Sequence, residues 1–220
     1  MSDKKTFNMK TKILLSFIQI LIIQPCFSQG FINLKFESAI TTNTTFNIIS
    51  AADAFPGWTA TAPYIAFNDI SLSGGSISIF NTNSLFSYPP IQGKYFALFF
   101  GSANPSYGAI SLGQTGQIPV GSQSISFWGS LSGMQVTFAG QALNYFQSGS
   151  TVNYNIYTAD ISAYAGQVGQ LLFTVPLGAS GGTLDNIQFS SSPVPEPSVL
   201  VLSAFGSLLL GVRNRKKIKL

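Results

Sequence analysis

The chain of 220 residues contains no histidine and a single cysteine, Cys26. Histidine is the usual side chain for proton transfer near neutral pH and the commonest metal ligand, so its absence excludes most catalytic triads and most zinc sites. With one cysteine, no disulfide can form within the chain. The sequence therefore predicts that the protein is not an enzyme, and a secreted enzyme of unrecognised type remains an open alternative.

Charged residues are also scarce, at 8% of the chain, and most of the basic ones lie near the two ends. Residues 13–192 include only two cations, Lys35 and Lys94, and five acidic residues. The middle of the chain is therefore net acidic and lacks the basic surface that nucleic-acid binding requires, so no nucleic-acid partner is predicted. Because 45% of the residues are hydrophobic, a charge-rich disordered chain is excluded as well.

The N-terminus has the proportions of a secretory signal peptide. Lys10 and Lys12 precede an apolar stretch at 13–23, which is well short of the roughly 20 residues that span a bilayer. Cys26 and Ser28 supply the small side chains that cleavage requires three residues and one residue before the cut. The predicted signal peptide is therefore 1–28, and signal peptidase and the general export machinery are predicted partners.

Two details of this leader have alternatives. Translation starts at Met1 or at Met9, since either precedes the basic residues. A lipoprotein acylated on Cys26 is the other alternative, but Pro25 stands where that chemistry requires a small residue. If Cys26 leaves with the signal peptide, the mature chain has no thiolate and no cysteine metal site.

Residues 193–220 form a tail of three parts. A proline-rich segment at 193–197 would hold the backbone extended and clear of the folded region. The apolar stretch at 199–212 predicts a single transmembrane helix, although a short one for a hydrocarbon core of about 30 Å. A basic cluster at 213–219 would then stay on the cytoplasmic side, through Arg213, Arg215, Lys216 and Lys217.

This order of motifs behind a signal peptide resembles the PEP-CTERM anchor of exported bacterial proteins. Pro195, Glu196 and Pro197 match the sorting motif of that family. The resemblance implies that an exosortase recognises the tail and processes it. It also implies a precursor anchored in the inner membrane and a later place in the cell envelope or outside the cell. An ordinary single-span anchor behind a proline-rich stalk is the alternative.

The segment between these ends, 29–192, is predicted to be one all-β ectodomain. Short runs of β-favouring residues recur between glycine, proline, asparagine or serine, and some alternate polar and apolar side chains with a period of two. About ten strands at this spacing predict a sandwich or a barrel. The predicted strands are 31–37, 45–49, 64–68, 76–80, 94–100, 109–112, 124–128, 135–138, 151–157, 170–175 and 183–189.

Five fragments of this segment, at 33–37, 56–58, 93–98, 160–166 and 184–189, resemble the galactose-binding-like jelly roll of carbohydrate-binding modules. The resemblance implies a jelly-roll β-sandwich. It also implies a structural Ca²⁺ site, because Glu37 and Asp185 match the acids that help to hold calcium in many such modules. The alternative is that Glu37 is a solvated charge at an edge and that Asp185 caps a turn. No other cofactor is predicted.

Sugar recognition is the binding chemistry that this composition favours, because aromatic rings stack on the apolar face of a pyranose while polar side chains bond its hydroxyls. Four aromatic residues lie in or beside polar loops and are candidates for it: Trp58, Tyr64, Tyr88 and Tyr107. The competing interpretation, which the many aromatic residues of this segment favour for each one taken alone, is a place in the core. The sequence thus predicts an exported envelope or matrix protein with a structural or adhesive role in exopolysaccharide or biofilm. A specific carbohydrate-binding module is the first alternative.

Overall fold

The computed structural model describes residues 29–42, 44–69, 74–81 and 91–194. These residues form mostly β-structure, with twelve strands in two sheets and two short helical turns. The predicted all-β class is confirmed, and the arrangement is consistent with a β-sandwich. The predicted signal peptide, sorting motif, transmembrane helix and basic cluster lie outside the described residues, as does Tyr88. Within the described ranges, no helix is long and apolar enough to cross a membrane.

The elements follow one another along the chain with short connections. In chain order they are α1 (Ala51–Ala54), β1 (Thr59–Thr61), β2 (Tyr64–Phe67), β3 (Ser76–Asn81), β4 (Tyr95–Phe100), β5 (Ile110–Gln117), β6 (Ser124–Ser132), β7 (Gln135–Phe138), β8 (Gln141–Ala142), β9 (Tyr145–Ser150), β10 (Asn155–Asp160), a 3₁₀ turn (Ser162–Tyr164), β11 (Val168–Val175) and β12 (Gly181–Ser190).

Two sheets of unequal size make up the fold. The small sheet has the order β1-β5-β11-β7-β8, and the large sheet has the order β2-β3-β4-β12-β6-β10-β9. The pairs are antiparallel except for β2 and β3, which run parallel. Neighbours in a sheet are often distant in sequence: β12 lies between β4 and β6, and β11 between β5 and β7. The strands therefore do not form a simple meander.

Strand β4 shows why the large sheet has two apolar faces. Tyr95, Ala97 and Phe99 belong to the main core, whereas Phe96 and Leu98 belong to a second cluster on the opposite face. Side chains alternate between the two faces of a strand, so a strand buried on both faces has a continuous apolar sequence. The second cluster also contains Phe80 and Ile91, and Phe100, Trp128 and Tyr154 pack against it. We call this second side the outer face of the large sheet.

The predicted strand at 31–37 is wrong. Asn33 and Phe36 have φ angles of 49° and 56°, in the left-handed region that no strand uses. The backbone N–H of Phe36 bonds the carbonyl of Asn33 across a turn at 3.2 Å. The segment is nevertheless part of the core, because the Phe36 side chain is fully buried.

The predicted strand at 151–157 is only partly correct. Strand β10 begins at Asn155, and the residues before it form a turn in which the Thr151 hydroxyl accepts a hydrogen bond from the backbone of Tyr154 at 3.1 Å. The hairpin partner of β10 is β9, a strand that the sequence did not predict. At the end of β10, the Asp160 carboxylate accepts the N–H of Ser162 at 2.8 Å, and this bond lowers the pKa of Asp160.

Candidate functional site

A groove crosses the outer face of the large sheet over β4, β12 and β6. Its volume is about 370 Å³, within the range of roughly 300–1,000 Å³ that is typical of small-molecule sites. Among the described residues, those that line it carry no charge. They are Ile91, Leu98, Phe99, Phe100, Ser130, Ser132, Asn153, Ser180, Gly181, Gly182 and Thr183.

The register of the three strands sets the floor of the groove. Thr183 of β12 lies opposite Leu98 of β4 and Ser130 of β6, and Gly181 forms the next row with Phe100 and Ser132. Apolar side chains therefore line the β4 side and serine hydroxyls line the β6 side. In one of these rows the middle strand β12 contributes Gly181, which has no side chain. The floor of the groove is therefore lower there than the side chains of β4 and β6 on either side.

Two aromatic rings adjoin the groove. Trp128 lies on β6 two residues before Ser130, and its ring stacks on Tyr154 with centroids 4.9 Å apart and planes 11° apart. Tyr154 and the groove residue Asn153 belong to the same turn between β9 and β10. Both rings are only partly buried. The stack is therefore a partly exposed aromatic pair that is close in sequence to the groove residues Ser130 and Asn153, although neither ring lines the groove itself.

The polar rim of the groove is available to a ligand. Ser130, Ser132, Asn153 and Ser180 are exposed, and none of their side chains has a hydrogen bond to another described residue. The Thr183 hydroxyl is engaged, since it accepts the backbone N–H of Ser130 at 3.0 Å. Hydroxyl groups donate and accept, and an amide does both through separate atoms. Such a rim can satisfy the hydroxyl groups of an uncharged sugar in several orientations.

The second feature is the pair of predicted metal ligands, Glu37 and Asp185, which we call the acid pair. The Glu37 carboxylate accepts the backbone N–H groups of Lys94 at 2.8 Å and of Tyr95 at 3.2 Å, at the start of β4. It packs directly on Gly93, where any Cβ atom would overlap it. Glu37 is therefore held by the backbone, although it is exposed to solvent.

Asp185 lies at a bulge in β12. The register of β12 with β6 shifts between Asp185 and Gln188, and Asn186 takes a left-handed φ of 47°. The N–H of Ile187 bonds the carbonyl of Leu34 at 2.9 Å, which ties the last strand to the segment that carries Glu37. The two acids are close enough for the Glu37 charge to act on Asp185, and a shared metal site remains a prediction.

Asp185 is fully buried, and its two carboxyl oxygens differ. Oδ1 accepts the backbone N–H of Asn186 at 2.6 Å, whereas Oδ2 has no hydrogen-bond partner among the described residues. The side-chain oxygen of Gln92 is likewise buried without a partner. Burial raises the pKa of Asp185 to about 8, and the Glu37 charge raises it further, against the opposing effects of the backbone N–H groups of Asn186 and Gln92 and of the Lys35 charge.

The three predicted sugar-stacking residues that the structure describes, Trp58, Tyr64 and Tyr107, do not line the groove. Trp58 is 5% exposed. Its ring packs against Phe36 and Phe173, and its indole N–H bonds the Asn33 carbonyl at 3.2 Å. Trp58 is therefore a core residue, and its prediction as a stacking residue is wrong because the ring is inaccessible.

Tyr64 and Tyr107 retain some exposure. Tyr64 begins β2 at the edge of the large sheet and is 42% exposed. Tyr107 is half-buried against the glycine turn at 74–75. Neither residue lines the groove. A role of these two tyrosines in binding therefore stays a prediction.

No prediction from the sequence included Trp128, Tyr154 or Asn153. One signal was present, because the alternation along β6 places Trp128 on the same side as Ser124 and Ser126 rather than with Ile125 and Phe127. An aromatic residue on the polar side of an alternating strand is a candidate for exposure. No comparable signal marked Asn153, which lies in a turn that was predicted to be strand.

Comparisons with known proteins give only distant similarities. No protein-family model and no curated protein matches the chain. A cyclase from Fischerella sp. TAU is 16% identical with a TM-score of 0.42, and the match covers 74% of this chain and 95% of the cyclase. TmCBM61, solved in complex with β-1,4-galactotriose, is 15% identical with a TM-score of 0.41 over 74% of this chain and 97% of its own.

A third solved structure is the enzymatically active domain of tailspike protein 4 from bacteriophage CBA120. It is 13% identical with a TM-score of 0.38, over 61% of this chain and 19% of that one. Similarities as weak as these carry no argument about the ligand or the activity of this chain. The groove and the acid pair are therefore the features of the molecule that indicate its function.

Proposed function

We propose that this protein is an exported adhesive component of the cell envelope or extracellular matrix, and that its jelly-roll sandwich contacts uncharged polysaccharide through the groove. The observation that carries the proposal is the groove itself. An aromatic stack adjoins its rim of free hydroxyl and amide groups, and the described residues that line it carry no charge. Aromatic stacking and neutral hydrogen bonding are what sugar recognition requires. The proposal assigns no reaction to the groove.

The predicted ends of the chain support the export part of this proposal. The leader at 1–28 and the PEP-CTERM-like tail at 193–220 would take the sandwich across the membrane and hold it there until an exosortase processes the tail. The sandwich itself suits a matrix, because the stretch between Lys94 and Asp160 contains no charged side chain. Contacts made by such a surface depend little on salt.

A glycan array probed with the intact protein tests the binding, and variants locate it. Trp128→Ala is expected to weaken binding of a selected uncharged glycan about tenfold, because it removes the stacking surface. Asn153→Ala is expected to weaken it several-fold through the loss of hydrogen bonds. Asn153 lies in an exposed turn, so its variant should fold normally, and isothermal titration gives both affinities.

Tyr64→Ala is the matched control, because Tyr64 is an exposed aromatic residue on the large sheet outside the groove. Its affinity should equal that of the unaltered protein. Loss of binding in Tyr64→Ala with normal binding in Trp128→Ala would move the site away from the groove. An array without any uncharged glycan bound would refute the polysaccharide contact.

Structural calcium at the acid pair is the second part of the proposal. Asp185 Oδ2 and Gln92 Oε1 are buried oxygens without partners among the described residues, and the Glu37 charge acts on Asp185. Such oxygens are hard donors of the kind that calcium prefers. No group of three or more acidic, histidine or cysteine residues occurs in the part of the chain that the structure describes. Backbone and amide oxygens would therefore complete the coordination, and the ion would neutralise the two carboxylates.

Calcium is expected to raise the melting temperature of the intact protein by several degrees at pH 8, because it compensates the buried carboxylate. Differential scanning calorimetry with calcium and with chelator measures the difference. Magnesium is the control ion, since it demands a stricter geometry and a smaller site. An Asp185→Asn variant that responded to calcium as strongly as the unaltered protein would contradict this assignment.

A further inference from the structure

The turn at 151–154, which joins β9 to β10, brings two side chains to the region of the groove. Asn153 lines the groove, and the ring of Tyr154 stacks on Trp128 with centroids 4.9 Å apart. All four residues of the turn lie between the end of β9 and the start of β10, outside the paired strands. The positions of the amide and of the ring therefore depend on the conformation of this turn.

The sequence of the turn, Thr-Val-Asn-Tyr, lacks the residues that usually impose a turn. It contains no glycine and no proline, and none of its four residues has a left-handed φ. Packing does not hold the tip either, because Val152 is 98% exposed and Asn153 is exposed as well. The conformation at the tip therefore has to come from polar contacts within the turn.

Thr151 supplies these contacts. Its backbone N–H bonds the carbonyl of Tyr154 at 2.8 Å, which closes the turn. Its hydroxyl donates to the same carbonyl at 3.2 Å, and it accepts the backbone N–H groups of Asn153 at 3.2 Å and of Tyr154 at 3.1 Å. A hydroxyl has one proton to donate and two lone pairs. The whole hydrogen-bonding capacity of this hydroxyl is therefore used inside the turn.

We propose that Thr151 is a positioning residue of the groove, whose hydroxyl fixes the backbone of Asn153 and Tyr154. This contact holds the Asn153 amide at the rim of the groove, and it holds the Tyr154 ring on Trp128. Thr151 does not itself line the groove, so it acts through these neighbours. Its effect on glycan affinity rests on the polysaccharide contact proposed above, whereas its effect on the ring stack does not.

Loss of the hydroxyl affects binding more than it affects the stability of the fold. Thr151 and Asn153 are exposed, so water replaces the hydrogen bonds that the turn loses, and the cost to the folded state is small. The turn then gains other backbone conformations, in which the amide and the ring leave their positions. A glycan that binds such a turn has to order it again, and this ordering lowers the affinity.

Isothermal titration of the intact protein with the uncharged glycan selected on the array tests the effect on binding. Thr151→Val keeps the shape of the side chain without its hydroxyl and is expected to weaken binding about fivefold or more. Thr151→Ser keeps the hydroxyl and should bind within about twofold of the unaltered protein. Val152→Ala is the matched control in the same turn, because Val152 is 98% exposed, and its affinity should not change.

A second measurement needs no glycan. The chain has two tryptophans, Trp58 and Trp128, so the NMR spectrum of the intact protein contains two indole N–H resonances, and Trp128→Phe assigns them. Tyr154→Ala gives the position of the Trp128 resonance without the stack. Thr151→Val is expected to shift the Trp128 resonance toward that position, because the tyrosine ring no longer stays on the indole. Thr151→Ser and Val152→Ala are expected to leave it in place.

Three outcomes would overturn the proposal. The Trp128 resonance could stay in place in Thr151→Val, which would show that the hydroxyl does not hold the stack. The affinity of Thr151→Val could equal that of an unaltered protein that binds, which would separate the turn from the binding site. Thr151→Ser could change as much as Thr151→Val, which would assign the effect to the shape of the side chain.

Failure of the polysaccharide contact itself would look different. The unaltered protein would then bind no uncharged glycan, and recognition of polysaccharide would be refuted. A Trp128 resonance that shifts in Thr151→Val but not in Thr151→Ser would in that case still support Thr151 as the residue that positions the turn.

Discussion

Replacing Gly182 with alanine is expected to destabilise the folded sandwich strongly. Gly182 lies in β12 between β4 and β6, and a Cβ atom there would overlap the carbonyl oxygen of Ser130 on the neighbouring strand. Its φ of +155° adds strain for any other residue. The backbone of Ser130 cannot move aside as a flexible side chain can. We therefore expect the free energy of unfolding to fall by at least about 3 kcal/mol. This is a large part of the roughly 5–15 kcal/mol that stabilises a typical domain.

Circular dichroism during urea unfolding measures this loss. Gly149→Ala is the matched control, because Gly149 also lies in a strand of the large sheet but meets only Ile156 at an ordinary contact distance of 3.5 Å. Its stability should change by less than about 1 kcal/mol. A Gly182→Ala variant as stable as the Gly149→Ala variant would contradict the register of β12 with β6.

Stability in the presence of a chelator is expected to fall as the pH rises from about 4 to about 8. Burial raises the pKa of Asp185 from 3.8 to about 8, so the folded protein keeps a proton on this group that the unfolded chain releases. Between these two values the unfolded state binds fewer protons, and a rise in pH favours it. The stability that the protonated Asp185 contributes is fully present below pH 3.8 and is lost above about pH 8.

Calorimetry across this pH window is expected to show a fall in melting temperature of roughly 5–10 °C. Asp185→Asn removes the titrating group but keeps its size, so its melting temperature should vary much less over the same window. A profile of the unaltered protein that is flat, or that rises with pH, would show that the buried carboxyl group does not govern the pH dependence.

The strands that the sequence predicted best are those whose burial determines their composition. Strand β4 lies at the middle of the large sheet and is buried on both faces, so its apolar run was visible without any structure. Strand β9 was missed because it lies at an edge, where exposed polar residues and Gly149 weaken both alternation and strand propensity. The error at 31–37 has another cause, since only tertiary packing holds Phe36 in a left-handed conformation.

The candidate site was less accessible to sequence reasoning than the fold. The acid pair could be anticipated only through a resemblance, because no pattern in the sequence states that residues 37 and 185 meet. The bulge at Asn186, and the bond from the Ile187 N–H to the Leu34 carbonyl, tie the last strand to the segment that carries Glu37. The groove depends on the register among three strands that are distant along the chain, and register is a property of the folded sheet.

Isothermal titration of the intact protein with an uncharged polysaccharide fragment, at low and at high salt, tests the central claim most directly. The groove has no charged lining residue among those described, so the dissociation constant should stay within about twofold between the two conditions. It should rise in Trp128→Ala at both. An affinity that collapsed at high salt, or that was unchanged in Trp128→Ala and Asn153→Ala, would contradict recognition of neutral polysaccharide by the groove.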